Sequence, residues 1–182
     1  MKTSHRLEQT LLWIFVILAA IVIGGGLYEM RVIVPLWAHS PPESVWEFAS
    51  LRVTNPQYMP NAGVRLWIFV TPLHLLMSFA VLIASLKTRP QHRRWVLIAS
   101  AIFITLHLSA LVYFVPAIDK IFNSRNLNMT PDEVINRVHI WVSGSWMRFA
   151  IGFVGLLCGL RALQVTPGAR NESASGTKTT EA

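Results

Sequence analysis

The stretch LLWIFVILAAIVIGGGL, residues 11–27, carries no charged, amide or hydroxyl side chain, and its apolar character continues, less purely, to Trp37. A helix rises about 1.5 Å per residue and needs about 20 apolar residues to cross the hydrocarbon of a bilayer. Three further segments meet that measure: 64–86, 95–117 and 138–163. Strands of a membrane barrel would alternate apolar and polar residues, and these segments do not. They are also too long and too uniformly apolar for helices lying along a surface. Composition agrees: the 182 residues are 53% hydrophobic and 14% charged, where soluble domains run near a quarter charged. Disorder and coiled coil both need more polar sequence. The single cysteine, Cys158, forms no internal disulfide, and no Cys/His finger spacing exists.

The expected fold is therefore all-α, a polytopic membrane four-helix bundle over residues 1–163, followed by a disordered cytoplasmic tail over 164–182 rich in Ser, Thr, Gly and Ala. Residues 1–6 and the apolar run after them imitate a signal peptide. No Ala-x-Ala site follows, and apolar sequence resumes at 31–37, so the first span is expected to be retained. Orientation follows from Lys and Arg in short loops. The 87–94 connector holds Lys87, Arg89, Arg93 and Arg94 without an acid, whereas the 37–63 and 118–137 connectors mix both signs. Both termini and the 87–94 loop are expected in the cytoplasm, with the protein in the inner (plasma) membrane. The net charge of +7 then reports topology, and nucleic acid is not an expected partner. The lipid bilayer is.

Ser40-Pro41-Pro42-Glu43 reads as a capping box opening a short outer-side helix through Arg52, lying at the interface or as a lid over the bundle. Thr130-Pro131-Asp132-Glu133 reads as a second box, starting the fourth helix before the membrane. A faint repeat runs through the spans. Laying Trp67 on Trp141 puts Arg65 on His139, Thr71 on Ser145 and His74 on Arg148, and spans one and three end in Val34-Pro35 and Val115-Pro116. Two like-oriented hairpins would produce this pattern.

Ionisable side chains inside hydrocarbon need a partner or a watery cavity. His74 lies ten residues below the outer end of its span, Arg148 ten below the outer end of its own, and His107 twelve above the inner end of the third. All three fall near the midplane. The nearest acid, Glu29, belongs to the outer third of the membrane. Together with Tyr28, Arg31, Arg65, Tyr113, His139, Trp141 and Ser145, these residues outline a polar pocket opening outward. Plainer readings stand beside this one. His74 and His107 can hydrogen-bond between helices, Glu29 can form a structural ion pair with Arg31 or Arg148, and Arg31 and Arg65 can reach for the outer surface. Trp13, Trp37, Trp67, Trp95 and Trp141 suit an interfacial belt. Gly24-Gly25-Gly26, Gly152, Gly155 and Gly159 suit close helix approach.

Chemically, His74 and His107 at one depth on neighbouring spans are what a bis-His haem b would require. Copper or iron on His74, His107 and Glu29 is a second possibility. No His-x-x-His, His-x-x-x-His or Glu-x-x-His spacing accompanies them. A metal-free pocket, with His as base and Arg stabilising an oxyanion, would suit a phenolic or quinone-like hydrophobic small molecule. In that reading His74, Arg148 and Glu29 carry the chemistry.

Three features carry a family resemblance: a Gly-rich first span running into Val34-Pro35-x-Trp37, a third span ending Tyr113-Phe114-Val115-Pro116, and a fourth with Trp141-x-x-x-Ser145-x-x-Arg148. In these the chain resembles the four-helix membrane family that includes the anthrone oxygenase-type proteins. The resemblance covers roughly residues 10–163 and departs at Ser145, where the family commonly has Asn. It implies a four-span fold and an oxidoreductase activity on a small aromatic molecule. A non-catalytic alternative remains: a subunit of a membrane complex, a homo-oligomer, or a small-solute permease-like helper.

Overall fold

The computed structural model describes residues 2–54, 62–86 and 90–165. Lys87, Arg89 and the tail from residue 166 onward lie outside them. Among the described residues every regular element is helical: α1 (Lys2–Tyr28), a π-helical turn (Glu29–Ile33), α2 (Val34–Ala38), α3 (Glu43–Thr54), α4 (Ala62–Ser85), α5 (Pro90–Ser109), a second π-helical turn (Ala110–Phe114), α6 (Val115–Phe122) and α7 (Pro131–Gln164). Four stretches are long and apolar enough to cross a membrane: Leu7–Ala38, Arg65–Ser85, Gln91–Phe122 and Pro131–Gln164. The chain is thus compatible with a multi-pass membrane protein whose apolar helices contact lipid.

Packing runs round a ring, α1 on α4, α4 on α5, α5 on α7 and α7 back on α1. Large apolar side chains face outward along every span, Phe69, Leu76 and Ile83 on α4 among the most exposed. In water that surface would be a severe liability; against lipid tails it costs nothing. The start of α1, the start of α5 and the end of α7 meet at one end of the bundle. There buried His92 places Nε2 2.8 Å from Glu8 Oε1 and Nδ1 3.2 Å from the Ala162 carbonyl. We call this the terminal end, and the opposite one the α3 end.

Two dry clusters fill the bundle. At the terminal end Leu12, Phe15, Val16 and Ala19 meet Val81, Val96, Ala99, Phe103, Cys158 and Ala162. At the α3 end Met30, Val34, Trp37, Val45, Phe114, Ile121, Val134, Val138 and Trp141 form the second, to which α4 contributes no residue. Among the described residues, α3 takes the fourth place at this end. Its apolar residues cap the bundle: Val45 is buried, Trp46 Nε1 donates to Ser124 Oγ at 3.1 Å, and Phe48 packs on Phe122. This segment thus packs on the end of the bundle.

Both π turns precede a Val-Pro pair. In each the valine N–H reaches back five residues, Val34 to the Glu29 carbonyl and Val115 to the Ala110 carbonyl. A proline cannot donate, and its ring collides with the carbonyl four residues earlier. Widening the turn just before it lets the helix continue with a local bulge. Each turn then receives an indole from the next span: Trp67 Nε1 donates to Glu29 Oε2 at 2.7 Å, and Trp141 Nε1 to the Phe114 carbonyl at 3.0 Å. The two Val-Pro exits thus share a π turn, although Trp67 bonds a side chain and Trp141 a backbone carbonyl.

The Thr130 capping box forms as expected, with Glu133 N–H on Thr130 Oγ1 and Thr130 N–H on Glu133 Oε2. At Ser40 the closure differs. Ser44 does the work, its hydroxyl accepting from Ser40 N–H at 3.2 Å and donating to the Trp37 carbonyl at 2.8 Å. Close helix approach is centred on α7. A Cβ on Gly152 would lie 2.8 Å from Ile23 Cδ1, on Gly155 2.9 Å from Ile102 Cγ2, and on Gly159 3.1 Å from Val16 Cγ2. Of Gly24-Gly25-Gly26, Gly25 alone is pressed, by Leu66 and by the Trp67 ring.

Candidate functional site

A polar layer separates the two dry clusters, and its lower member is His74. Fully buried on α4, its ring sits between Phe15 at 5.1 Å and Phe103 at 4.5 Å, on the roof of the terminal cluster. Nδ1 of His74 lies 3.0 Å from Nε2 of buried His107 on α5, with the rings almost perpendicular. One nitrogen donates and the other accepts, so each tautomer dictates the other. Two buried atoms near this depth have no hydrogen-bond partner, His74 Nε2 and Ser100 Oγ. Ser78, one turn along from His74, donates its hydroxyl to the His74 carbonyl at 2.7 Å.

Arg148 crosses from α7 toward α5. Its Nη2 donates to the Leu106 carbonyl at 3.1 Å, which also accepts Ser109 Oγ at 2.8 Å. The guanidinium carbon stands 4.3 Å from the centre of the Phe114 ring. That ring can approach because residue 144, one turn before Arg148, is glycine: a Cβ there would lie 3.0 Å from Phe114 Cζ. Arg148 is within electrostatic reach of both His107 and Glu29. Glu29 is held by Trp67 and forms no contact ion pair with Arg148. Above the guanidinium, Ser145 is buried. Ser145 Oγ and Arg148 Nε, three residues apart on one helix face, both lack a hydrogen-bond partner.

The expected pocket residues therefore divide. Glu29, His74, His107, Ser145 and Arg148 belong to the layer, and Trp141 closes it against the upper cluster, its ring 5.4 Å from Trp37. Tyr28, Arg31, Arg65, Tyr113 and His139 do not line it; their side chains are exposed on the flanks. Arg31 lies over Trp146 at 5.6 Å, and Tyr113 packs edge-on to Phe114. The helical phase explains the split: Tyr28 and Glu29 are neighbours, about 100° apart round the axis, so one faces in while the other faces out. Nor are Trp37, Trp67 and Trp141 belt residues, since all three hydrogen-bond or pack inside the bundle. Trp67, which holds Glu29, and Ser78, which bonds the His74 carbonyl, join the layer unanticipated. Gly25 one turn before Glu29, a seat for an indole below a carboxylate, was the signal for the first of them.

Haem b does not fit this arrangement. Metal–imidazole bonds run roughly 2.0–2.1 Å, so an iron between two histidines holds their nitrogens about 4 Å apart, whereas these touch at 3.0 Å. Phe15 and Phe103 fill the space a macrocycle would need. Among the described residues no three His, Cys, Asp or Glu side chains converge as a metal site, so Glu29 does not complete a copper or iron centre with the two histidines. The layer is built of hydrogen-bond donors and a proton-sharing pair. Compared with protein-family models, with curated proteins and with solved structures, the chain matches none.

Proposed function

We propose that this is an integral membrane protein whose mid-membrane polar layer binds a small, lipid-soluble aromatic molecule bearing a carbonyl or phenolic oxygen. The observation that carries the reading is the pair of orphaned donors, Ser145 Oγ and Arg148 Nε, buried side by side next to the His107–His74 pair. An unmet buried polar group costs about 1–3 kcal/mol, and one oxygen from a phenol or quinone would relieve both. Arg148 stabilises negative charge on that oxygen, and the histidine pair accepts or returns its proton. Trp67 keeps Glu29 in place as the balancing charge. The residues of the layer provide binding and proton transfer.

In the bilayer the terminal end faces the cytoplasm of the plasma membrane, because Arg93, Arg94 and Arg161 belong to that end and the 87–94 connector is basic in sequence without an acid. The layer is not open outward as expected: the α3-end cluster lies over it and Trp141 closes that side. The competing reading, a non-catalytic subunit of a larger membrane complex or a homo-oligomer, draws on the exposed outer face of α4.

Detergent-purified protein titrated with a short-chain naphthoquinone and with a naphthol separates the two. At a hundred times Kd a ligand bound only by the folded state adds about 2.7 kcal/mol, a clear rise in unfolding midpoint. Arg148→Leu should weaken binding by more than about tenfold and Ser145→Ala by about fivefold. No midpoint shift with either compound, together with recovery only alongside another membrane protein, would favour the competing reading.

A further inference from the structure

A groove of about 200 Å³ runs along the flank of the bundle at the α3 end, between α6 and α7. Its upper rim carries Lys120 and Arg137; deeper along it lie Val112, Tyr113, Pro116 and Ile140. The order follows from the helices. Lys120 stands near the end of the third span and Arg137 just before the apolar run of the fourth, while Val112 and Ile140 begin the lipid-facing surface and are exposed.

Neither cation has a partner among the described residues, though acids are close in sequence. Asp119 Oδ1 accepts from Asn123 Nδ2 at 3.1 Å, and Glu133 is committed to the Thr130 cap. Asp132 sits in the first turn of α7, where the helix N-terminus favours negative charge. Two unmatched cations thus line one groove, near the end of the third apolar span and just before the apolar run of the fourth. Cationic side chains at that depth attract anionic lipid, and an apolar wall directly beneath suits an acyl chain.

We propose that this groove is a binding site for an anionic phospholipid, its phosphate held between Lys120 and Arg137 and one acyl chain lying along Val112, Pro116 and Ile140. The site is separate from the polar layer and stands or falls independently of it. Its place beside Tyr113 and Phe114 nevertheless puts the lipid against the π turn that carries the Arg148–Phe114 contact.

Spin-labelled phosphatidylglycerol and phosphatidylcholine, compared in the purified protein reconstituted in phosphatidylcholine vesicles, test this. The expected result is a motionally restricted population favouring phosphatidylglycerol on the order of tenfold, reduced to parity in Lys120→Gln/Arg137→Gln. Val112→Trp, which fills the apolar part and leaves both charges, should also lower it. Equal restriction of the two lipids in the wild-type protein would overturn the proposal. So would displacement of the restricted phosphatidylglycerol by millimolar inorganic phosphate, which would make the site one for free anions, and so would an unchanged preference in both variants.

Discussion

At the scale of single residues, the Glu29–Trp67 contact shows how a membrane interior tolerates a carboxylate. Burial in hydrocarbon without a partner costs at least a few kcal/mol. Here one oxygen takes an indole N–H at 2.7 Å and the Arg148 guanidinium lies within electrostatic reach. Trp67→Phe keeps the packing against Gly25 but removes the donor. It should lower stability in detergent by about 0.5–2 kcal/mol, read as a fall in the thermal midpoint. Glu29→Gln keeps an acceptor for Trp67 and should cost less than Glu29→Leu. If the leucine variant is the more stable, Glu29 is not held as described. His74, His107 and Arg148 were legible from depth alone, because three basic groups fell at one level of the bilayer. That His107 answers His74 directly was not, since spacing along separate spans says nothing about which face of one helix meets which face of another.

At the scale of elements, the glycines of α7 and the two π turns decide how closely the spans approach. Gly155→Ala would place a methyl 2.9 Å from Ile102 and 3.0 Å from Phe103. It should destabilise by about 1–3 kcal/mol as the core is forced apart. Gly24→Ala meets nothing within 4 Å and should be neutral or stabilising by up to about 1 kcal/mol through helix propensity. Equal midpoints for the two variants would contradict the packing of α7. The spans themselves were readable from hydropathy, and the start of α7 from Thr130 and Glu133. The π turns were not, since the Val34-Pro35 and Val115-Pro116 pairs announce a bend but not how the backbone absorbs it. Ser44 was missed at the start of α3 because its role depends on the tertiary position of the Trp37 carbonyl.

For the whole molecule, two apolar clusters with a polar layer between them form the interior of the bundle, and the proposed function has that layer receive a polar guest. Orientation is a property of this scale. With buried Cys158 replaced by Ser, Leu127→Cys in the exposed α6–α7 loop should react with an impermeant maleimide added outside intact cells, and Gln91→Cys only after permeabilisation. The reverse pattern would invert the proposed topology. The central claim, that Ser145 and Arg148 await a ligand oxygen inside hydrocarbon, is tested most directly by infrared difference spectroscopy of a naphthoquinone ¹³C-labelled at its carbonyls. Two donors on one oxygen should lower a carbonyl stretch below its value in hydrocarbon solution, and Ser145→Ala and Arg148→Leu should each move it back. A bound carbonyl stretch identical to that in hydrocarbon, unchanged in both variants, would contradict the account.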